Sequence, residues 1–250
     1  MKRSVFYTFG VLSAAVLALS SCAASTKVIP PDQPSPEGRL AVMGPDRSFN
    51  LDAPPTDWII SGGDAHSGGG VVGKSSSLST VMRDGVPALE LKSGSEHIIA
   101  VRRVNAMLLA TPFLSWSWHL SNHGEGIHPM RLIVGFHGGA PADTQLGSQG
   151  DDLPPHDRAL SLVWGDTALR RGSLSLPPAH KPFEAPIYTV RGGRENTRKW
   201  WLEHVDLSDL YAKAWPNDNR RRARITFIGL ASAPTRTVVR GRISGILLTH

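Results

Sequence analysis

Cysteine is almost absent from this chain: Cys22 is the single thiol in 250 residues. That excludes a disulfide framework and any zinc site built from several cysteines, so the folded part must be held by core packing. Long apolar runs are missing too. The longest, from Val5 to Leu19, falls short of the roughly 20 residues that a membrane-spanning helix needs. Charge is not lopsided: 27 Lys and Arg against 21 Asp and Glu leave +6, too mild a balance for a nucleic-acid partner. The strong catalytic signatures are also lacking. There is no Gly-x-Ser-x-Gly elbow, no dinucleotide fingerprint and no His-Glu-x-x-His run, and Gly68-Gly69-Gly70 beside Lys74-Ser75 lacks the spacing of a phosphate loop. No cofactor is expected, no catalytic residue is assigned, and no solenoid or propeller period is visible.

What is present begins at the amino terminus. Lys2 and Arg3 precede the apolar run, and small residues close it, the pattern of a secretory signal. Its last residues, Leu19-Ser20-Ser21-Cys22, resemble the bacterial lipobox. The resemblance implies cleavage before Cys22, thioether lipidation of that cysteine and acylation of its new amino terminus. Two or more acyl chains give stable anchoring, so a lipid bilayer is the first expected partner. Ala23 follows the cysteine where retention signals carry Asp. By that resemblance the expected address is the bacterial cell envelope, at the outer membrane facing the periplasm. Removing residues 1–21 takes Lys2 and Arg3 with it and lowers the net charge to +4.

Residues 22–50 carry Pro30, Pro31, Pro34, Pro36 and Pro45 among small and polar residues, a composition read as a semi-rigid tether. The domain is expected over 51–250. There, short apolar runs alternate with Gly, Pro, Asn and Asp clusters, in keeping with 25 glycines and 19 prolines. Strands are predicted over 58–61, 86–92, 98–104, 113–120, 130–137, 159–164, 187–190, 200–206, 224–231 and 243–248, several with period-two alternation. One helix is predicted over 207–214, with Asp206 or Ser208 as its cap and Trp215-Pro216 as its stop. The sum is an all-β fold, a two-sheet antiparallel sandwich of jelly-roll type with one or two short helices. Residues 138–158 and 165–186 are long connections and candidate rims of a site.

Several of these segments resemble the bacterial family catalogued as domain of unknown function 3047. They are Leu114-Ser115-Trp116-Ser117-Trp118, Arg131-Leu132-Ile133-Val134-Gly135-Phe136, Leu162-Val163-Trp164, the run Trp201 to Asp206, and the stretches Ile225 to Leu230 and Gly241 to Ile246. The resemblance implies a galactose-binding-like β-sandwich in an exported protein. The chain departs from that family at Gly126-Ile127-His128-Pro129-Met130 and at Ala231-Ser232-Ala233-Pro234, where members tend to carry acidic residues.

Alternation sorts candidate ligand residues by face. Ser115, Ser117 and His119 oppose Leu114, Trp116 and Trp118, while Arg131 and His137 oppose Leu132, Val134 and Phe136. If those two strands are neighbours, His119, Arg131 and His137 share a polar sheet surface. One ring of the pair Trp200 and Trp201 must face outward beside it. Flat polar hydrogen bonding plus an aromatic ring suits a glycan or another envelope component. The bland alternative is an ordinary hydrated sheet face. A second constellation is His119, His123 and His128 with Asp152, a set of metal-ligand types with Glu125 as base for hydrolysis. Arg220, Arg221, Arg222 and Arg224 form the densest charge block. It suits contact with an envelope protein or anionic headgroups, in which case the domain is a scaffold, or else it is a solvated loop.

Overall fold

A computed structural model describes residues 32–44, 57–62, 65–66, 77–142, 144, 153–178, 180–181 and 184–250. Cys22 and Asp152 lie outside these residues. In chain order the strands are β1 Leu40–Met43, β2 Trp58–Gly62, β3 Ala65–His66, β4 Leu78–Arg83, β5 Val86–Lys92, β6 Ile98–Met107 and β7 Phe113–Leu120. Then follow β8 Met130–His137, β9 Arg158–Gly165, β10 Leu174–Ser175, β11 Ile187–Gly192, β12 Trp200–Asp206, β13 Arg224–Ser232 and β14 Arg240–Thr249. One helix, α1 Leu207–Ala214, sits between β12 and β13. Its cap is Asp206, whose carboxylate accepts the Asp209 N–H.

The strands make two sheets. One has six strands in the order β12-β7-β14-β5-β4, with β1 paired to the other half of β14; the second has eight, in the order β10-β11-β9-β8-β13-β6-β2-β3. All pairings are antiparallel except β9 with β11 and an isolated bridge from Asp32 to Val104. The inward faces alternate as the sequence does. Leu114, Trp116, Trp118 and Leu120 of β7 meet Leu132, Val134 and Phe136 of β8 and Leu160, Leu162 and Trp164 of β9 in one core. The expected two-sheet sandwich is therefore what the chain forms.

Three features depart from the sequence reading. β1 lies inside the stretch read as a tether, and it is packed: Leu40 and Val42 are buried in the core. β4 was not foreseen. It forms a hairpin with β5 through Asp84 and Gly85, both in the left-handed region at φ 53° and 77°, and an Asp-Gly pair is the usual chemistry of such a turn. Third, β7 and β8 are not neighbours. β7 pairs with β12 and β14, whereas β8 pairs with β9 and β13.

Buried charges tie the sheets together at their margins. Arg102, on β6, is almost wholly buried; it donates to Asp32, to Asp57 and to the carbonyls of Ala41 and Val42. It thereby pins the incoming chain and β1 to the eight-stranded sheet. At the opposite margin Arg191 of β11 reaches Glu203 of β12 at 2.6 Å, and the Trp118 indole donates to the same carboxylate at 3.1 Å. Arg158 holds Asp218 in a two-pronged pair at 2.9 and 3.0 Å, and Tyr211 Oη donates to that carboxylate at 2.8 Å. Fully partnered groups of this kind lock register rather than add much net stability.

Candidate functional site

The outer face of the six-stranded sheet is where polar side chains converge. Antiparallel register sets Trp200 opposite His119, His119 opposite Arg242 and Arg242 opposite Glu90, one row across four strands. Arg242 donates to Glu90 at 2.6 Å and to His119 Nδ1 at 3.3 Å. Because a guanidinium can only donate, Nδ1 is the acceptor and the proton of neutral His119 sits on Nε2. That Nε2 is buried and makes no hydrogen bond; the ring meets Trp200 edge to face, centroids 5.6 Å apart. Burial, reinforced by Arg242 and Arg83, pulls the His119 pKa below its ordinary value, so His119 is neutral at physiological pH.

Glu90 and His119 are buried although they point away from the core. Part of the cover over His119 is Trp200 and the Arg83–Asp84 end of the β4–β5 hairpin. β4 and β12 are opposite edges of this sheet, about 19 Å apart in a flat arrangement of five strands. Yet the Trp200 indole N–H donates to the Arg83 carbonyl at 3.2 Å. The sheet must curl, and the hairpin must lean across it, to close that distance. Beyond the roof the face opens. Trp200, Leu202 and His204 alternate outward along β12, Leu202 with 71 % of its surface exposed. His204 stacks on Phe113 at 5.2 Å, and Ser115 and Ser117 line the neighbouring strand. The result is a strip of apolar and aromatic groups beside hydroxyls and a fixed cation.

Of the residues picked out from the sequence, His119 and Trp200 come together here. Trp201 points the other way: it packs on the core margin, donates to the Asn196 carbonyl at 2.8 Å, and has the Arg191 guanidinium 3.7 Å over its ring. Its face is already taken. Arg131 and His137 lie on the outer face of the eight-stranded sheet, on the far side of the sandwich from His119. The shared surface expected from adjacent β7 and β8 does not form, because alternation within a strand says nothing about which strand lies beside it. His137 is exposed and 3.6 Å from Asp157.

The histidine constellation is likewise divided. His123 and His128 are neighbours, ring centroids 4.6 Å apart, but His119 is on the other sheet and Asp152 lies outside the described residues. Both nitrogens of His128 are engaged: Nδ1 accepts the Met130 N–H at 3.1 Å, so Nε2 donates to the Ser121 carbonyl at 3.2 Å. No lone pair is left for a cation. Burial above all, then the charge of His123, pushes the His128 pKa down to about 3. No group of three metal-capable side chains occurs among the described residues.

Two features escaped sequence reasoning. Glu90 and Arg242 belong to the polar row only through long-range register; the one local signal was a charge alternating with Leu89 and Leu91. The loop 121–129 also faces loop 233–239 across a groove of about 360 Å³, with Arg131 in its lining. Arg220, Arg221, Arg222 and Arg224 are exposed, Arg224 donating to Asn105 and Arg220 to Ser208. Among the described residues no helix is long and apolar enough to cross a membrane.

The fold and this face define a β-sandwich with one organised outer surface. No family model matches the chain, and no curated protein does. Solved structures do resemble it in fold. One is the family 30 carbohydrate-binding module of the cellulosomal cellulase Cel9D-Cel44B of Clostridium thermocellum, 11% identical, covering 84% of this chain and 96% of that one at a TM-score of 0.40. Another is the family 11 carbohydrate-binding module of Lic26A-Cel5E from the same organism, 8% identical, covering 86% and 96% at 0.36. A third, the mannan-recognising module TmCBM27, is 13% identical and covers 84% and 94% at 0.33.

Proposed function

We infer that this chain is a lipid-anchored envelope protein whose sandwich binds a glycan on the open face of its six-stranded sheet. One observation carries the binding reading. Trp200, Leu202 and His204 form an outward strip next to a fully organised row of Arg242, His119 and Glu90. Sugar rings present an apolar C–H face and an equatorial fringe of hydroxyls. A ring laid on the strip buries the first, and serines and the guanidinium meet the second. The buried His128 has both nitrogens occupied, which disfavours the alternative of metal-assisted hydrolysis at this histidine pair. Anchoring rests on Leu19-Ser20-Ser21-Cys22, and the expected home is the outer membrane.

The decisive experiment is retention of the full chain on a panel of envelope and extracellular polysaccharides, with Trp200→Ala as comparison. Stacking of one ring is worth about 1 kcal/mol or more, so the variant should bind at least about fivefold more weakly. Equal retention of the variant would refute the surface. Labelling with radioactive palmitate, lost in Cys22→Ser, tests the anchor.

A further inference from the structure

The groove between loops 121–129 and 233–239 has a chemistry of its own. Its floor is the outer face of the eight-stranded sheet, where Arg131 of β8 stands beside Val163 of β9 and Ile187 of β11. One wall is His123 to Pro129, the other Ala233 to Thr237 with Val239. The walls are tied rather than loose. Ala233 N–H donates to the Pro129 carbonyl at 3.0 Å, Thr235 Oγ1 donates to Ser93 Oγ at 2.6 Å, and Ser93 Oγ accepts the Val239 N–H at 2.9 Å. The site is formed before any ligand arrives.

Arg131 is the anomaly. Among the described residues every other guanidinium sunk into this sandwich has a carboxylate: Arg102 has Asp32 and Asp57, Arg158 has Asp218, Arg191 has Glu203, and Arg242 has Glu90. The Arg131 side chain makes no ion pair and no hydrogen bond among the described residues, and burial alone lowers its pKa. A desolvated cation without a partner is unfavourable unless something supplies the charge. The nearby charges do not: Arg236 lines the groove, and Arg194 is close enough to depress His123, against one exposed carboxylate, Glu125. His123 adds an unused polar atom. Its Nε2 donates to the Gly126 carbonyl at 3.0 Å, which leaves Nδ1 a buried acceptor with no partner.

We propose that this groove is a binding site for a compact ligand bearing a single carboxylate, with Arg131 as its two-pronged anchor. The planar guanidinium fork matches a carboxylate in geometry and charge. Ile127, Ile187 and Pro234 offer an apolar wall to the ligand body. Glu125 at the rim disfavours a doubly charged phosphate. An acidic sugar combines these properties, and so does a small aromatic acid. The site is independent of the glycan-binding strip, which lies on the other sheet.

The test uses the full chain with glucuronate, benzoate and acetate as probes, glucose and inorganic phosphate as comparisons, and the arginine Nε–Hε resonances as readout. Glucuronate or benzoate should bind saturably and shift one such resonance, the one missing in Arg131→Gln. Acetate should bind more weakly because it lacks a body, and glucose should bind at least about tenfold more weakly than glucuronate. Arg131→Gln should lose carboxylate binding by about tenfold or more while its unliganded melting temperature holds or rises, because it removes an uncompensated cation. Benzoate as the stronger ligand points to a free aromatic acid, glucuronate to a sugar acid. Four results overturn the proposal: no saturable carboxylate binding, glucose equal to glucuronate, phosphate stronger than both, or an Arg131→Gln variant that is folded and binds unchanged. Trp200→Ala should leave carboxylate binding intact, so failure of the sheet-face reading and failure of this one are separable.

Discussion

His128 makes the stability of this sandwich depend on pH in a calculable way. The ring is fully buried, donates to the Ser121 carbonyl and accepts from the Met130 N–H. The second bond requires the neutral form, because a protonated Nδ1 has no lone pair to accept with. Its pKa is about 3 in the folded chain, against 6.5 for a free histidine. Above pH 6.5 neither state binds the proton, and the full stability is present. As pH falls below 6.5 the unfolded chain takes up a proton that the folded chain refuses, and stability drops by about 1.4 kcal/mol per pH unit until the folded value is reached. The loss attributable to His128 is then about 2 kcal/mol at pH 5 and about 3 kcal/mol at pH 4. His123, 4.6 Å away, and His119 shift in the same direction, so the slope of the native protein alone does not isolate His128. His128→Asn does. Its amide oxygen can take the Met130 N–H, but Ser121 loses its donor, and the variant should be about 2 kcal/mol less stable near pH 7.5. Urea unfolding followed by tryptophan fluorescence at both pH values gives the comparison. The gap between native and variant should shrink by about 2 kcal/mol between pH 7.5 and pH 5. A gap that stays constant over that range would refute the account of His128.

Two further perturbations probe the frame that holds the sites. A Cβ added at Gly135 would sit 2.0 Å from the Phe227 ring, which is itself buried; Gly135→Ala should cost about 1–3 kcal/mol in urea unfolding, and a loss below measurement would mean the ring is not fixed there. Arg102→Met leaves two backbone carbonyls, Asp57 and the half-exposed Asp32 without their cation and should lower stability by about 3 kcal/mol, with proteolysis inside 32–43 appearing first; an unchanged denaturation midpoint would show that the N-terminal segment is held by other contacts.

Much of the fold was legible because each strand advertises itself locally. Leu114, Trp116 and Trp118, or Leu132, Val134 and Phe136, bury one face by simple alternation, and the structure puts strands where those patterns fall. The β4–β5 hairpin was missed although Asp84-Gly85 is a local turn signal, because Leu78, Val81 and Met82 of β4 do not alternate with its polar residues. Pairing was not legible. The neighbours of β7 are β12 and β14, some 80 and 120 residues further along, and no local periodicity encodes a contact at that separation. That is why His119 and Arg131, close in sequence and alike in character, fall on opposite faces, while Glu90 and Arg242 become partners.

The strand registers also decide how the chain would present its surfaces. Ile98 of β6, Ser232 of β13 and Met130 of β8 share one level, the end that carries loops 121–129 and 233–239. The described chain begins at Asp32, bridged to Val104, six residues further down β6. At about 3.3 Å per residue that is roughly 20 Å towards the other end. Gly38 meets His250 and Ala110 at that far end, and Arg102 rivets the segment there through Asp32, Ala41 and Val42. A chain tethered through Cys22 would therefore be gripped at one end of the sandwich and would offer Arg131 and Trp200 at the other. Were Cys22 lipidated as proposed, the buried arginine clamp would fix the end of the sandwich at which the tether joins, whereas a tether joining at the groove end would bring both candidate surfaces towards the bilayer.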